Sequence, residues 1–246
     1  MASTPTAPNV RSSLDAVRLA AAAASGGDSS SLIHLTFERI VRAIELKGDL
    51  LDFGAGKGLL TTRLLQMGRF DSITATDLMQ RPKHLPSSVR WIAADLNVTL
   101  DLPESVFDTI IAAEVIEHLE NPRALVREWF RLLRPQGTLV LSTPNNESWR
   151  SLSSLLFQGQ YALFGPASYP AHITPLLRDD IARCLLEAGF SKPYFIFTNE
   201  GRLPKLGRLS WQTISAGLLK GLRYSDNLLA VASRPGFQDR PPQRLE

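Results

Sequence analysis

The spacing of apolar residues changes period repeatedly along the chain, and each change marks an expected element. Between residues 32 and 46, Ile33, Phe37, Ile40, Val41 and Ile44 recur at helical spacing, which predicts an amphipathic helix ended by Gly48. Short apolar runs then predict strands at residues 49–53, 72–76, 89–93, 107–112 and 138–142, with helical spacing returning at 58–67 and 123–133. This alternation predicts an α/β protein with a mostly parallel sheet and helices on both faces. A further helix is expected at 179–188, where Asp179 and Asp180 favour the positive end of the dipole and Gly189 suits the stop. Residues 194–198 and 227–232 supply two final strands.

The folded domain is therefore expected over residues 32–234. Residues 1–31 read as a flexible segment containing a short Ala-rich helix at 14–24 and a Ser/Gly linker, and residues 235–246 as a polar, frayed tail.

Composition narrows the class. With 246 residues, 44% hydrophobic and 21% charged, the chain can bury one good core. Its net charge of +3 comes from scattered Lys and Arg, without an arginine-rich stripe or stacking motif, which argues against DNA and RNA as partners. Cys184 has no second cysteine to pair with and suits a packing role in a reducing cytoplasm. No N-terminal run resembles a signal peptide, and no stretch reaches the roughly 18–20 apolar residues of a membrane span. A cytoplasmic protein, attached at most to a membrane surface, is the expectation.

Chemistry enters at Leu51-Asp52-Phe53-Gly54-Ala55-Gly56-Lys57-Gly58, a strand running into a glycine loop and then a helix. Such a turn exposes backbone N–H groups and lets a ligand approach closely. The NAD fingerprint needs glycine at the first, third and sixth positions, which here are Gly54, Gly56 and Leu59, so the third glycine is missing. The next strand ends in Thr76-Asp77-Leu78, which puts Asp77 near the usual place of an acid that binds ribose hydroxyls.

The Gly54-x-Gly56-x-Gly58 loop preceded by Asp52 resembles the first motif of the class I S-adenosylmethionine-dependent methyltransferases. Two later segments resemble the type 11 and ubiquinone-biosynthesis-like branch of that family: Phe107 to Leu119 followed by Asn121-Pro122, and Leu132 to Asn145. The resemblance implies a Rossmann-like seven-stranded sheet, parallel except for one strand, with S-adenosylmethionine at the carboxyl ends of the strands. It assigns Asp52, Gly54, Ala55, Gly56, Gly58, Asp77, Leu78, Asp95, Leu96 and Glu114 to the cofactor, with Asp95 accepting the adenine amino group.

If the chain turns helical at Glu114, then Glu114, Glu117 and His118 share one face at i, i+3 and i+4. Completed by His172, the pattern looks like the metal site of ubiquinone-pathway O-methyltransferases and of enzymes that 2′-O-methylate small-RNA 3′ ends. Two carboxylates and two imidazoles would suit Mg²⁺, Mn²⁺ or Zn²⁺ and polarise an acceptor hydroxyl. The competing reading has the acid capping backbone N–H groups and the histidine packing. Without a metal, His118 or His172 could act as general base, and Glu114 completes the catalytic candidates. His34 and His84, with no motif around them, read as ordinary surface or packing residues.

The acceptor is expected under a lid formed by residues 145–172, whose Trp149, Leu152, Leu155, Leu156, Phe157, Tyr161, Leu163 and Phe164 are apolar. A second insertion, residues 201–223, mixes apolar and basic residues and can lie on a membrane, close over a greasy substrate, or simply pack on the domain. Taken with the resemblance and the Glu114, Glu117, His118 and His172 set, these features favour O-methylation of a small-molecule, lipid-linked, quinone-like or glycan hydroxyl. Methylation of nitrogen or carbon, and a non-catalytic scaffold that binds the cofactor, stand as alternatives.

Overall fold

The computed structural model describes residues 17–21, 26, 27, 29–204 and 206–236, without the side chains of Gly207 and Arg208. The expected disorder at 1–13, the ends of the Ala-rich helix and most of the tail lie outside the described residues. Residues 17–21 of that helix are helical.

The domain opens with α1 (Ser31–Ala43), capped by the Ser30 hydroxyl, which accepts from Ile33 N. Then follow β1 (Gly48–Phe53), α2 (Leu59–Gln66), β2 (Phe70–Asp77), β3 (Val89–Ala93) and β4 (Phe107–Ala113). A 3₁₀ turn at Ile116–His118 leads to α3 (Pro122–Leu132) and β5 (Leu133–Pro144). Asn121 caps α3 by accepting from Ala124 N at 3.0 Å, and Pro122 occupies its first turn, where a missing N–H costs nothing. The chain continues through α4 (Trp149–Gln158), α5 (Arg178–Ala188) and β6 (Tyr194–Phe197). A small hairpin, β7 (Arg202–Leu203) and β8 (Leu206–Ser210), precedes α6 (Trp211–Ile214), a 3₁₀ turn at Leu222–Tyr224 and β9 (Asn227–Ser233).

The sheet has seven strands in the order β3-β2-β1-β4-β5-β9-β6, and β9 runs antiparallel to both its neighbours. Alternate residues feed opposite faces, as the strand period requires. Leu51, Phe53, Ile110, Leu139 and Leu141 pack on one side with Trp129 of α3 and with Ile181 and Leu185 of α5. Leu50, Ile73, Ile111 and Val140 pack on the other side with Phe37, Ile40 and Val41 of α1 and Leu64 of α2. Burial on both faces explains why these strands read as continuous apolar runs.

The insertion at 201–223 does not form one long amphipathic helix. Pro204 lies at the hairpin's turn, and Gly217 (φ +81°) and Gly221 (φ +84°) break the chain again, leaving a single helical turn at α6. Some of its charge serves packing: the Arg223 guanidinium lies 5.6 Å from the Trp149 ring centroid and donates to Glu147 O at 2.6 Å. Among the described residues no helix is long and apolar enough to cross a membrane.

Candidate active site

The sheet order reverses direction between β1 and β4, and a cavity of about 190 Å³ opens there at the carboxyl ends of the strands. Its wall includes Asp52 near the end of β1, Gly54 to Gly56 of the following loop, Asp77 closing β2, Asp95 after β3 and Glu114 after β4. Leu78 and Leu96 line it too.

The glycine loop is shaped by internal packing. Gly54 and Gly56 hold φ of +77° and +52°, where a side chain is strained. A Cβ on Gly54 would meet Val115 at 2.4 Å, and one on Gly56 would meet the Gly27 carbonyl at 2.3 Å. The expectation that the loop exposes N–H groups to a ligand is not met. Gly54 and Ala55 N–H donate to Thr76 O, Gly56 N–H to Asp77 Oδ2, Lys57 N–H to Gly27 O and Gly58 N–H to Ala55 O. With these donors satisfied inside the protein, the loop is a poor cradle for a phosphate and acts as a contoured wall.

The three acids differ in environment. Asp52 is buried; its Oδ2 accepts from Thr61 Oγ1 at 2.6 Å, while Oδ1 has no partner. Burial pushes the Asp52 carboxyl up to about 7, with Asp77's charge adding to the rise and the Thr61 bond opposing it. Asp77 ties the loop to β2, accepting from Gly56 N–H at 2.8 Å and Met79 N–H at 2.9 Å. Asp95 accepts from Asn97 N–H on Oδ1 at 2.9 Å and from Arg18 on Oδ2 at 2.6 Å.

After β4 the expected helical face does not form. Glu114 takes φ +56°, and the 3₁₀ turn begins only at Ile116. Glu114 is thereby turned toward β5 and β9, accepting from Ser142 Oγ at 3.1 Å and Asn227 Nδ2 at 3.0 Å. Burial pushes it up to about 7, against the pull of those two bonds. Among the described residues the group that could hold a metal comprises Glu117, His118 and His172, whose ligand atoms lie within 4.8 Å of one another, without Glu114. Glu117 is fully buried; Oε2 accepts from Thr143 Oγ1 at 3.1 Å and Oε1 has no partner.

The two imidazoles are held alike. His118 Nδ1 donates to Ala171 O at 2.8 Å and His172 Nδ1 to Leu163 O at 2.7 Å. A carbonyl can only accept, so the proton sits on Nδ1 and the lone pair on Nε2. Burial pushes His118 down to about 4, partly offset by its carbonyl partner, and it lowers His172 as well. Of these three residues, His118 reaches the cavity wall.

Over residues 28–192 the chain matches a family described as a methyltransferase domain. The chain belongs to the class I S-adenosylmethionine-dependent methyltransferases. A ubiquinone biosynthesis O-methyltransferase of Bradyrhizobium diazoefficiens is 29% identical across 61% of this chain and 62% of its own length. A malonyl-[acyl-carrier protein] O-methyltransferase of a Paenibacillus species is 28% identical across 68% of this chain. The chain thus spans 62% and 63% of the length of these two relatives. Among solved structures, the Burkholderia thailandensis 1,6-didemethyltoxoflavin-N1-methyltransferase, with bound 1,6-didemethyltoxoflavin and S-adenosylhomocysteine, superposes with a TM-score of 0.60 at 18% identity, covering 96% of this chain and 93% of that one. Both chains share one fold.

The cavity suits the cofactor of this family. The unpartnered Asp52 oxygen belongs to a wall residue whose charge would be stabilised by a cation, and S-adenosylmethionine carries an ammonium and a sulfonium without phosphate.

Several wall residues carry no signal in the sequence. Arg18, Gly27 and Ser29, from the segment read as flexible, line the cavity, as does the buried His34, whose Nε2 lies 2.8 Å from Ser29 Oγ. These contacts come from folding and leave no motif. Of the lid expected at 145–172, Tyr169 and Pro170 line the cavity beside Ile173, whereas the apolar residues of α4 do not, and Leu156 and Phe157 face outward at 77% and 71% exposure.

Proposed function

We propose that this chain transfers the methyl group of S-adenosylmethionine to a hydroxyl of a small, largely apolar acceptor, of which lipid-linked and quinone-like molecules are the leading class. The observation that carries the reading is one continuous cavity, walled by Asp52, Asp77 and Asp95 and also by His118 with the apolar Val115, Leu119, Pro170 and Ile173. The acceptor oxygen attacks the methyl carbon as the carbon–sulfur bond breaks, S-adenosylhomocysteine departs and the hydroxyl proton passes to solvent. The chain's main contribution is to align nucleophile and methyl within the cavity. The names of the two O-methyltransferase relatives favour oxygen as the acceptor atom.

Buried as it is, His118 stays neutral at physiological pH but is a weak base, which suits it better to orienting or ligating than to taking a proton alone. Its fixed Nδ1–H, the matching bond of His172 and the unpartnered Glu117 Oε1 fit a cation centre. Glu117, His118 and His172 would hold a divalent ion such as Mg²⁺, Mn²⁺ or Zn²⁺, which when bound lowers the pKa of an acceptor hydroxyl.

The test is transfer of labelled methyl from S-adenosylmethionine into a native extract, with the product's methyl position read by mass spectrometry. A methyl ether is expected; a methyl ester, a methyl on nitrogen or carbon, or no transfer despite cofactor binding, overturns the reading. Elemental content of protein purified without chelator should fall in Glu117→Ala. Turnover that ignores both chelator and added ions removes the metal.

A further inference from the structure

Two stretches ahead of α1 lie across the cofactor cavity. Val17, Arg18 and Ala21 form one part of its wall, and Gly27 and Ser29 another. The second stretch is pinned to the glycine loop, where the Gly27 carbonyl accepts from Lys57 N–H at 2.8 Å and sits where any side chain on Gly56 would collide. The first is pinned by one side chain. Arg18 Nη1 donates to Asp95 Oδ2 at 2.6 Å, and its Nε and Nη2 fork onto the two oxygens of Glu120, each at 2.9 Å.

Among the described residues that fork is the side-chain hold on residues 17–21. Val17 and Leu19 are each 57% exposed, so among the described residues little apolar burial anchors the stretch, whereas the Arg18 side chain is only 19% exposed. An element held by few buried contacts opens locally far more readily than the core. Residues 17–27 also precede the family match, which begins at residue 28.

We propose that residues 17–21 with Gly26 and Gly27 form a strap over the bound cofactor and that Arg18 is its latch, so that release of Arg18 from Asp95 and Glu120 governs cofactor exchange. This rests on the assignment of the cavity to S-adenosylmethionine. Latch and ligand are compatible at Asp95: a carboxylate oxygen has two lone pairs, so Oδ2 can accept from Arg18 and from an adenine amino group together. The planar guanidinium is the group suited to both carboxylates, since its five N–H donors lie in a fixed fork. Glu120 lies two residues beyond His118, which places the latch beside the acceptor end of the cavity as well.

The experiment measures S-adenosylhomocysteine release from the full chain by stopped-flow displacement, with affinity from calorimetry. Arg18→Ala should release the ligand about tenfold faster, the ratio expected when roughly 1.4 kcal/mol of closure is lost, with a smaller change in association rate. Glu120→Gln should move release the same way, and Arg18→Lys, which keeps charge but loses the fork, should fall between. Amide exchange across residues 17–27 should slow on ligand binding in wild type and not in Arg18→Ala, and unchanged melting temperatures would confirm that the variants fold. Wild-type release rates in Arg18→Ala, or tighter binding by it, would overturn the latch alone. Failure of the wild type to bind S-adenosylhomocysteine would overturn the cofactor assignment and the latch with it.

Discussion

Replacing Asp52 with asparagine should stabilise the protein without its cofactor and weaken cofactor binding. Asp52 is 1% exposed and donates nothing; one oxygen accepts from Thr61 and the other has no partner. Its carboxyl, pushed by burial from 3.8 to about 7, is held above its unfolded value, so the folded state binds the proton more tightly. The sign follows: there is no penalty below about pH 4, stability falls as pH rises from there through about 7, and above that the full penalty applies. A shift of this size corresponds to about 4 kcal/mol. Asparagine keeps the shape and the Thr61 bond, yet leaves an amide N–H₂ in place of the unpartnered oxygen, at a cost of about 1–3 kcal/mol. The expected net gain at pH 8 is therefore about 1–3 kcal/mol, whereas at pH 4 the variant should be the less stable of the two. Urea denaturation followed by tryptophan fluorescence at pH 4, 6 and 8, with m-values compared to confirm a like-for-like transition, measures this. Titration with S-adenosylhomocysteine should show weaker binding by the variant. A stability difference independent of pH, or a variant less stable at pH 8, would refute the picture of an uncompensated buried carboxylate.

The remaining predictions concern the scaffold. Gly56→Ala places a Cβ at φ +52° against the Gly27 carbonyl, and backbone strain of about 1–3 kcal/mol should lower the melting temperature; an unchanged melt would show that the loop relaxes freely. Trp129, fully buried and edge-on to Phe53 at 5.7 Å, anchors α3 to the sheet, so Trp129→Ala should cost about 3–5 kcal/mol in equilibrium unfolding. A loss under 1 kcal/mol would contradict that role. Asn121→Ala removes the cap on Ala124 N–H and should cost about 1 kcal/mol, with threonine or serine restoring most of it.

What the sequence determined by itself was local. Periodicity located the strands and helices, because a strand buried on both faces writes an apolar run and a helix on one face writes a stripe. The glycine loop and Asp77 could be singled out because ligand sites of this architecture sit at strand ends, and Asp95 because of the family resemblance; the structure puts Gly54, Gly56, Asp77 and Asp95 in one cavity wall. Direction and partnership were not legible. A left-handed residue at Glu114, fixed by Ser142 and Asn227 far along the chain, committed that carboxylate to β5 and β9 and left it outside the group formed by Glu117, His118 and His172. The same folding brought His172 against His118, with ring centroids 4.8 Å apart, and turned Leu156 and Phe157 of α4 outward. Arg18 is the plainest case: its carboxylates lie 77 and 102 residues away, and nothing in an Ala-rich segment signals a contact that only the assembled sheet creates. Backbone pattern depends on neighbours within a few residues, whereas the direction of a side chain depends on whatever the fold packs against it.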